Sequence, residues 1–215
     1  MDYHPNPKNR EMKLKLHDPT IDLKIQNPNV LITGDGRSLS SDLDTFLSWE
    51  VPHDVMAIGR SINIYPGIVK HWANVDGTDS SWWAEHLPQK NDGKIPIRHT
   101  LGKCKEYDVD WDIVDSPWKM DEIVWYGSTS LFAVYVSLEL GYDKIILAGC
   151  PLDNKGHWYF PDRTESDPRW HGETFQVWLD FARDERAKRV RSLSGYTGQI
   201  IGLGTKEWII EPSDQ

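Results

Sequence analysis

The chain has 215 residues, a length that suits one α/β domain with a two-sided core and would cramp two. Lys and Arg total 24 against 33 Asp and Glu, a net charge of −9, so no basic field is available to hold duplex nucleic acid. No apolar run approaches the roughly 20 residues of a membrane helix and the start lacks the apolar centre of a signal peptide, which predicts a soluble, cytoplasmic protein with no transmembrane segment.

Residues 1–28 are polar and punctuated by proline, with one alternating stretch, Met12–Leu16, that reads as an edge strand or an interaction arm. Residues 29–215 are expected to form the single domain. Val30, Leu31 and Ile32 predict a buried parallel strand, which Gly34, Asp35 and Gly36 break before a serine-rich helix start. A strand that stops at glycines and turns into a helix presents backbone N–H groups and a positive helix end, which suit a phosphate; the same residues also make a plain tight turn. The dinucleotide fingerprint Gly-x-Gly-x-x-Gly is not completed, because Leu39 stands at its third glycine.

Ser40–Trp49 predicts a helix with Leu43, Phe46 and Leu47 on one face, and Val55–Ile58 a second buried strand reached by a right-handed crossover. Gly59, Arg60 and Ser61 end that strand at the edge where open α/β sheets place ligands, so Arg60 is either a phosphate or carboxylate contact or a solvated arginine. Tyr65–Lys70 predicts a short helix and His71–Val75 a third strand. The Asp76-Gly-Thr-Asp79 that follows reads as a turn in preference to a metal site. Residues 84–120, rich in charge, proline and glycine, predict an irregular lid-like excursion with one strand near Ile95–His99.

Ser128, Thr129 and Ser130 open a helix over Leu131–Leu140 that is apolar nearly all round and ends at Gly141; the hydroxyls either cap it or hold a phosphate. Lys144–Gly149 predicts a central strand, 150–167 a polar, aromatic loop at its end, Gly172–Lys188 an amphipathic helix with His171 just before it, and Val190–Leu193 the last strand. Short apolar runs at Gln199–Ile201 and Trp208–Ile210 close the chain. Eleven Trp is the unusual count; Trp72, Trp82, Trp83, Trp111, Trp118, Trp125, Trp158 and Trp170 fall in predicted loops or at strand ends, where they wall a cleft for a flat or sugar-like ligand or pack loops onto the sheet. Cys104 and Cys150, far apart and not in a metal-type pair, predict reduced buried thiols.

Three segments together resemble the bacterial lipooligosaccharide sialyltransferases and their wider kin, the motility-associated accessory glycosyltransferases and the archaeal hydroxymethylpterin pyrophosphokinases. They are Leu31–Leu39; Ser128–Ser130 through Leu140–Gly149; and Asn154–Phe160 with His171 beyond. The resemblance spans roughly residues 29–200 and implies a Rossmann-like, mostly parallel sheet flanked by helices. It implies a nucleotide-activated sugar donor of the cytidine monophosphate type, held by Gly34, Asp35, Gly36 and Ser38, by Ser128 and Thr129, and by Tyr159, with His171 as the general base; beside it, Arg37 and Arg60 are expected as further phosphate donors and His157 as the rival base. No metal or other cofactor is obligatory for sugar transfer. The chain departs from the family where Asp35 replaces Asn, Arg37 replaces Pro, Gly59 stands at a donor-binding Asn and Asp153 at a loop tyrosine.

These readings give a glycosyltransferase as the first expectation, with a small-molecule nucleotide sugar and an unidentified acceptor as partners. The alternatives are pyrophosphoryl transfer, which needs Mg²⁺ with Asp76 and Asp35 as carboxylates, and a non-catalytic nucleotide-binding or scaffold protein with a degraded donor site. A homo-oligomer is compatible with the sequence and not required by it.

Overall fold

The computed structural model describes residues 12–21, 23–75, 91–102, 107–115, 128–153, 155–159 and 168–212, with backbone alone at 114–115 and 168–173. Apolar runs bounded by turn residues become eight strands among them: β1 (Lys13–Leu16), β2 (Asn29–Thr33), β3 (Asp54–Ile58), β4 (His71–Asn74), β5 (Ile97–Leu101), β6 (Val109–Asp115), β7 (Lys144–Ala148) and β8 (Val190–Ser192). They form one sheet in the order β1-β6-β5-β4-β3-β2-β7-β8, parallel throughout except for β1 against β6. The helices are α1 (Leu39–Leu47), α2 (Thr129–Glu139), α3 (Pro168–Phe181), α4 (Gly195–Ile201) and α5 (Lys206–Ile210). The fold is thus α/β with a mostly parallel sheet, and no helix among the described residues is long and apolar enough to cross a membrane.

The middle strands are apolar at consecutive positions because both faces of the sheet are covered. Val30, Ile32, Ile145 and Leu147 pack with α2 and with Val177, Trp178 and Phe181 of α3, while Leu31, Ile146 and Ala148 pack with Leu39, Leu43 and Phe46 of α1. Each such aliphatic side chain contributes roughly 1.5–3 kcal/mol by leaving water. Helix α2 has no polar stripe, since Leu131 to Leu138 are all buried; its first turn is capped by Ser128 Oγ, which accepts the Leu131 N–H at 3.3 Å.

A hydrogen-bonded string crosses the face that α2 covers. Trp111 Nε1–H donates to His99 Nδ1 (3.1 Å), His99 Nε2 meets His71 Nδ1 (3.0 Å), His71 Nε2 meets the Tyr142 hydroxyl (3.0 Å), and that hydroxyl donates to Asp54 Oδ2 (2.8 Å). An indole only donates, so His99 must carry its proton on Nε2, and His71 likewise. Burial, helped by the Lys70 charge, lowers the His71 pKa to about 4, and burial holds His99 well below its ordinary value. Burial works to raise the Asp54 carboxyl, but Lys70, Asn27, Tyr142 and the Gln26 N–H overcome it and hold it at about 2.

Several expectations change. The segment 84–120 does not carry a single strand: it supplies both β5 and β6, so its described part belongs to the sheet. Met12–Leu16 is settled as an edge strand, with Met12 fully buried and its carbonyl taking a hydrogen bond from Arg186 Nη2 at 2.6 Å. Tyr65–Lys70 is not helical; the helical turn comes earlier, as a 3₁₀ segment at Gly59–Asn63, because Pro66 and Gly67 interrupt the later stretch. Helix α3 begins at Pro168, ahead of His171 and not after it, with proline suited to a first helical turn.

Candidate functional site at the carboxyl ends of β2, β3 and β7

The glycine bend after β2 continues the β2–β7 ladder past the last strand residues. Gly34 N–H donates to the Ala148 carbonyl and Gly36 N–H to the Gly149 carbonyl, each at 2.8 Å. A Cβ at Gly34 would stand 2.5 Å from Cys150 Sγ and 2.6 Å from the Gly149 oxygen, and one at Gly36 would stand 2.3 Å from Pro151 Cδ. Glycine is required here because two turns meet backbone to backbone. The expectation that these amides stand bare for a phosphate is therefore corrected at Gly34 and Gly36, whose N–H groups hold the β7 turn.

Ser38, at the entry to α1, is also engaged. Asp42 Oδ2 accepts its hydroxyl (2.9 Å), the Ser194 hydroxyl (2.7 Å) and the Gly149 N–H (2.8 Å), so one buried carboxylate ties α1, the β7 turn and the start of α4 together. The sequence reading missed Asp42 and Ser194; an acid in the first turn, four residues after a serine, was the only local signal. Arg37 is exposed at the tip of the bend.

The residues that do converge lie on the β3 side of the bend. Asp35 Oδ2 accepts the Arg60 N–H at 3.0 Å, and Gly59, at φ 52°, leaves room for it: a Cβ there would meet Asp35 Oδ2 at 2.5 Å. The loop after β7 folds back over the carboxyl. Trp158 N–H donates to the Asp35 carbonyl (3.0 Å), Gly36 and His157 form an antiparallel bridge, and the His157 and Tyr159 rings stack at 5.1 Å. The Arg60 guanidinium lies 4.3 Å from the centre of the Tyr159 ring. Burial pushes the Asp35 carboxyl up to about 6, against the Arg60 N–H, the His157 ring and the nearby Trp158 indole, which favour the charged form. That indole does not reach ordinary hydrogen-bond geometry, and both Asp35 Oδ1 and Trp158 Nε1 are buried without a hydrogen-bond partner.

The remaining predicted residues are placed elsewhere. Ser128 Oγ is shared among the Leu131 N–H, the Trp178 indole N–H (3.2 Å) and the Ser130 hydroxyl, so capping and packing account for it, and Thr129 follows it in the first turn of α2. Asp153 accepts the Lys155 N–H within its own loop at 3.2 Å. Trp72 and Trp111 are buried in β4 and β6 and wall no cleft. The Cys150 thiol is free and buried, and burial pushes its pKa up. The side chains of His171 and Trp170, and all of Asp76, Cys104, Trp82, Trp83, Trp118 and Trp125, lie outside the described residues. No family model, no curated protein and no solved structure matches the chain.

Proposed function

We propose that the chain has a Rossmann-like arrangement and binds a nucleotide-activated sugar across the carboxyl ends of β2 and β3, passing the sugar to an acceptor hydroxyl. The observation that carries this reading is the meeting of Asp35, Arg60, His157 and Tyr159, drawn from three separate loops, at one edge of a parallel sheet. The strand order supports it: β3, β2 and β7 are neighbouring parallel strands, and open α/β sheets place ligands at the carboxyl ends from which these three loops leave. In this chemistry an imidazole, His157 or His171, accepts the proton of the acceptor hydroxyl, and Arg60 offsets the charge of the departing phosphate without an obligatory metal. His157 is the base we favour, because its bridge to Gly36 and its stacking on Tyr159 set its ring in the cluster with Asp35 and Arg60. The free buried thiol of Cys150 supports a reducing compartment, the cytoplasm.

The test is nucleotide release from a panel of nucleotide sugars by the parent and by His157→Ala and His171→Ala. Loss of at least about 100-fold in one variant is the expected result for a general base. Release unchanged in both variants would sink the reading.

A second, non-catalytic reading is favoured by one observation: the Gly34 and Gly36 amides and the Ser38 and Ser128 hydroxyls are all committed to packing. A nucleotide-binding protein without turnover would still show a thermal shift with nucleotides, since ligands stabilise by mass action. Mg²⁺-dependent pyrophosphoryl transfer needs a second carboxylate beside Asp35, and stimulation of triphosphate cleavage by Mg²⁺ would favour it.

A further inference from the structure

We infer that Asp35 Oδ1 and Trp158 Nε1 form a two-armed subsite for one sugar hydroxyl of the ligand. The inference rests on the nucleotide-sugar reading above and adds the group that this corner recognises. Both atoms are buried and neither has a hydrogen-bond partner, a condition that folded proteins seldom leave uncorrected. They are unlike in kind: the carboxylate oxygen accepts and the indole N–H donates. They are also neighbours, since the Trp158 backbone N–H is held on the Asp35 carbonyl and the indole N–H approaches the Asp35 carboxyl closely enough to favour its charge without closing an ordinary hydrogen bond.

Among the groups of a nucleotide sugar, the one that satisfies such a pair is an alcohol. Its O–H donates to Asp35 Oδ1 while its oxygen accepts from Trp158 Nε1–H. A phosphate oxygen cannot donate to the carboxylate, and an ammonium cannot accept from the indole. Arg60, whose own N–H is on Asp35 Oδ2, stands next to the subsite with a charge suited to a phosphate, which places the hydroxyl on a sugar adjoining that phosphate. The second arm belongs to the loop that folds back onto the glycine bend through the Trp158 N–H bond and the Gly36–His157 bridge, so the pair is complete only with that loop seated.

The hydroxyl is either the ribose 2′-hydroxyl or one on the transferred sugar, and calorimetric titration separates the two. The probes are CMP, 2′-deoxy-CMP and CMP-N-acetylneuraminate, against the parent, Asp35→Asn and Trp158→Phe, each checked for an intact melting transition. If the ribose is the source, the parent binds CMP about 10- to 100-fold more tightly than 2′-deoxy-CMP, the factor expected for a hydrogen bond to a charged group, and both variants lose that preference. If the transferred sugar is the source, the preference for CMP-N-acetylneuraminate over CMP is what both variants lose. Trp158→Phe keeps the aromatic bulk, so it reports the loss of one N–H even if Asp35→Asn perturbs the fold. Both preferences surviving in Trp158→Phe would overturn the subsite while leaving the nucleotide reading intact. Failure of the parent to bind any of the three probes would overturn both.

Discussion

The string from Trp111 to Asp54 gives both nitrogens of each buried imidazole a partner, whereas the cluster around Asp35, in the same sheet, leaves one acceptor and one donor without any. Both regions bury charge-capable side chains and both shift their pKa values by burial. They differ in how the remaining polar capacity is used. A fully matched network supports the fold, while a partly matched one costs stability, and that cost is tolerated where a ligand completes the set.

The largest effect should come from breaking the matched region. His71→Leu leaves the His99 Nε2–H without an acceptor and removes one of the two bonds of the Tyr142 hydroxyl, which still donates to Asp54, and should cost roughly 2–4 kcal/mol, read as a lower urea midpoint at an unchanged slope. Next comes acidification. His71 has its folded pKa depressed from 6.5 to about 4, so the unfolded chain binds the proton first and stability falls as pH drops through that window, by roughly 3 kcal/mol for this residue. Asp35 works in the opposite sense. Its folded pKa is raised from 3.8 to about 6, so stability is full below 3.8 and falls as pH rises to 6, by at most about 3 kcal/mol. Across pH 4 to 6 the two slopes therefore oppose each other in the parent, and Asp35→Asn should leave a profile that rises with pH, with a gain of about 1–3 kcal/mol at pH 7. A variant profile that matches the parent would show that the Asp35 carboxyl is not held neutral by burial. The smallest effect is expected at the rim, where Arg60→Ala should cost under about 1 kcal/mol of stability by losing the contact with the Tyr159 ring, while weakening binding of any phosphate probe.

Much of the sheet could be read from residues alone, because Val30–Ile32, Val55–Ile58 and Lys144–Gly149 are continuous apolar runs with glycine or polar ends, the pattern of strands covered on both faces. Strand β6 was hidden by its charges: Val109, Trp111 and Ile113 alternate with Asp110 and Asp112, a period of two obscured within a polar stretch. At the candidate site, Asp35 and Arg60 were legible as residues at strand ends, and Tyr159, with His157 beside it, through the resemblance carried by the loop after β7; that the four meet is set by the fold. The misreading at Gly34 and Gly36 has a long-range cause. Their amides are taken by carbonyls more than 100 positions away, and local sequence carries no sign of such a partner. Asp42 with Ser194, and the imidazoles of His71 and His99, escaped for the same reason, since each acquires its role only when distant strands are laid side by side.

The imidazole string also bears on strand alignment. His71 and His99 project from the same side of adjacent strands, and sliding β5 by one position along β4 would turn His99 toward the α1 side. A slipped pairing would then bury two unmatched rings and one stranded indole in place of a closed set, several kcal/mol worse by the ordinary cost of orphaned polar atoms. Apolar contacts alone discriminate weakly among near-equivalent alignments. The polar string supplies the discrimination, and so acts as an address that tells β4, β5 and β6 which residues must meet.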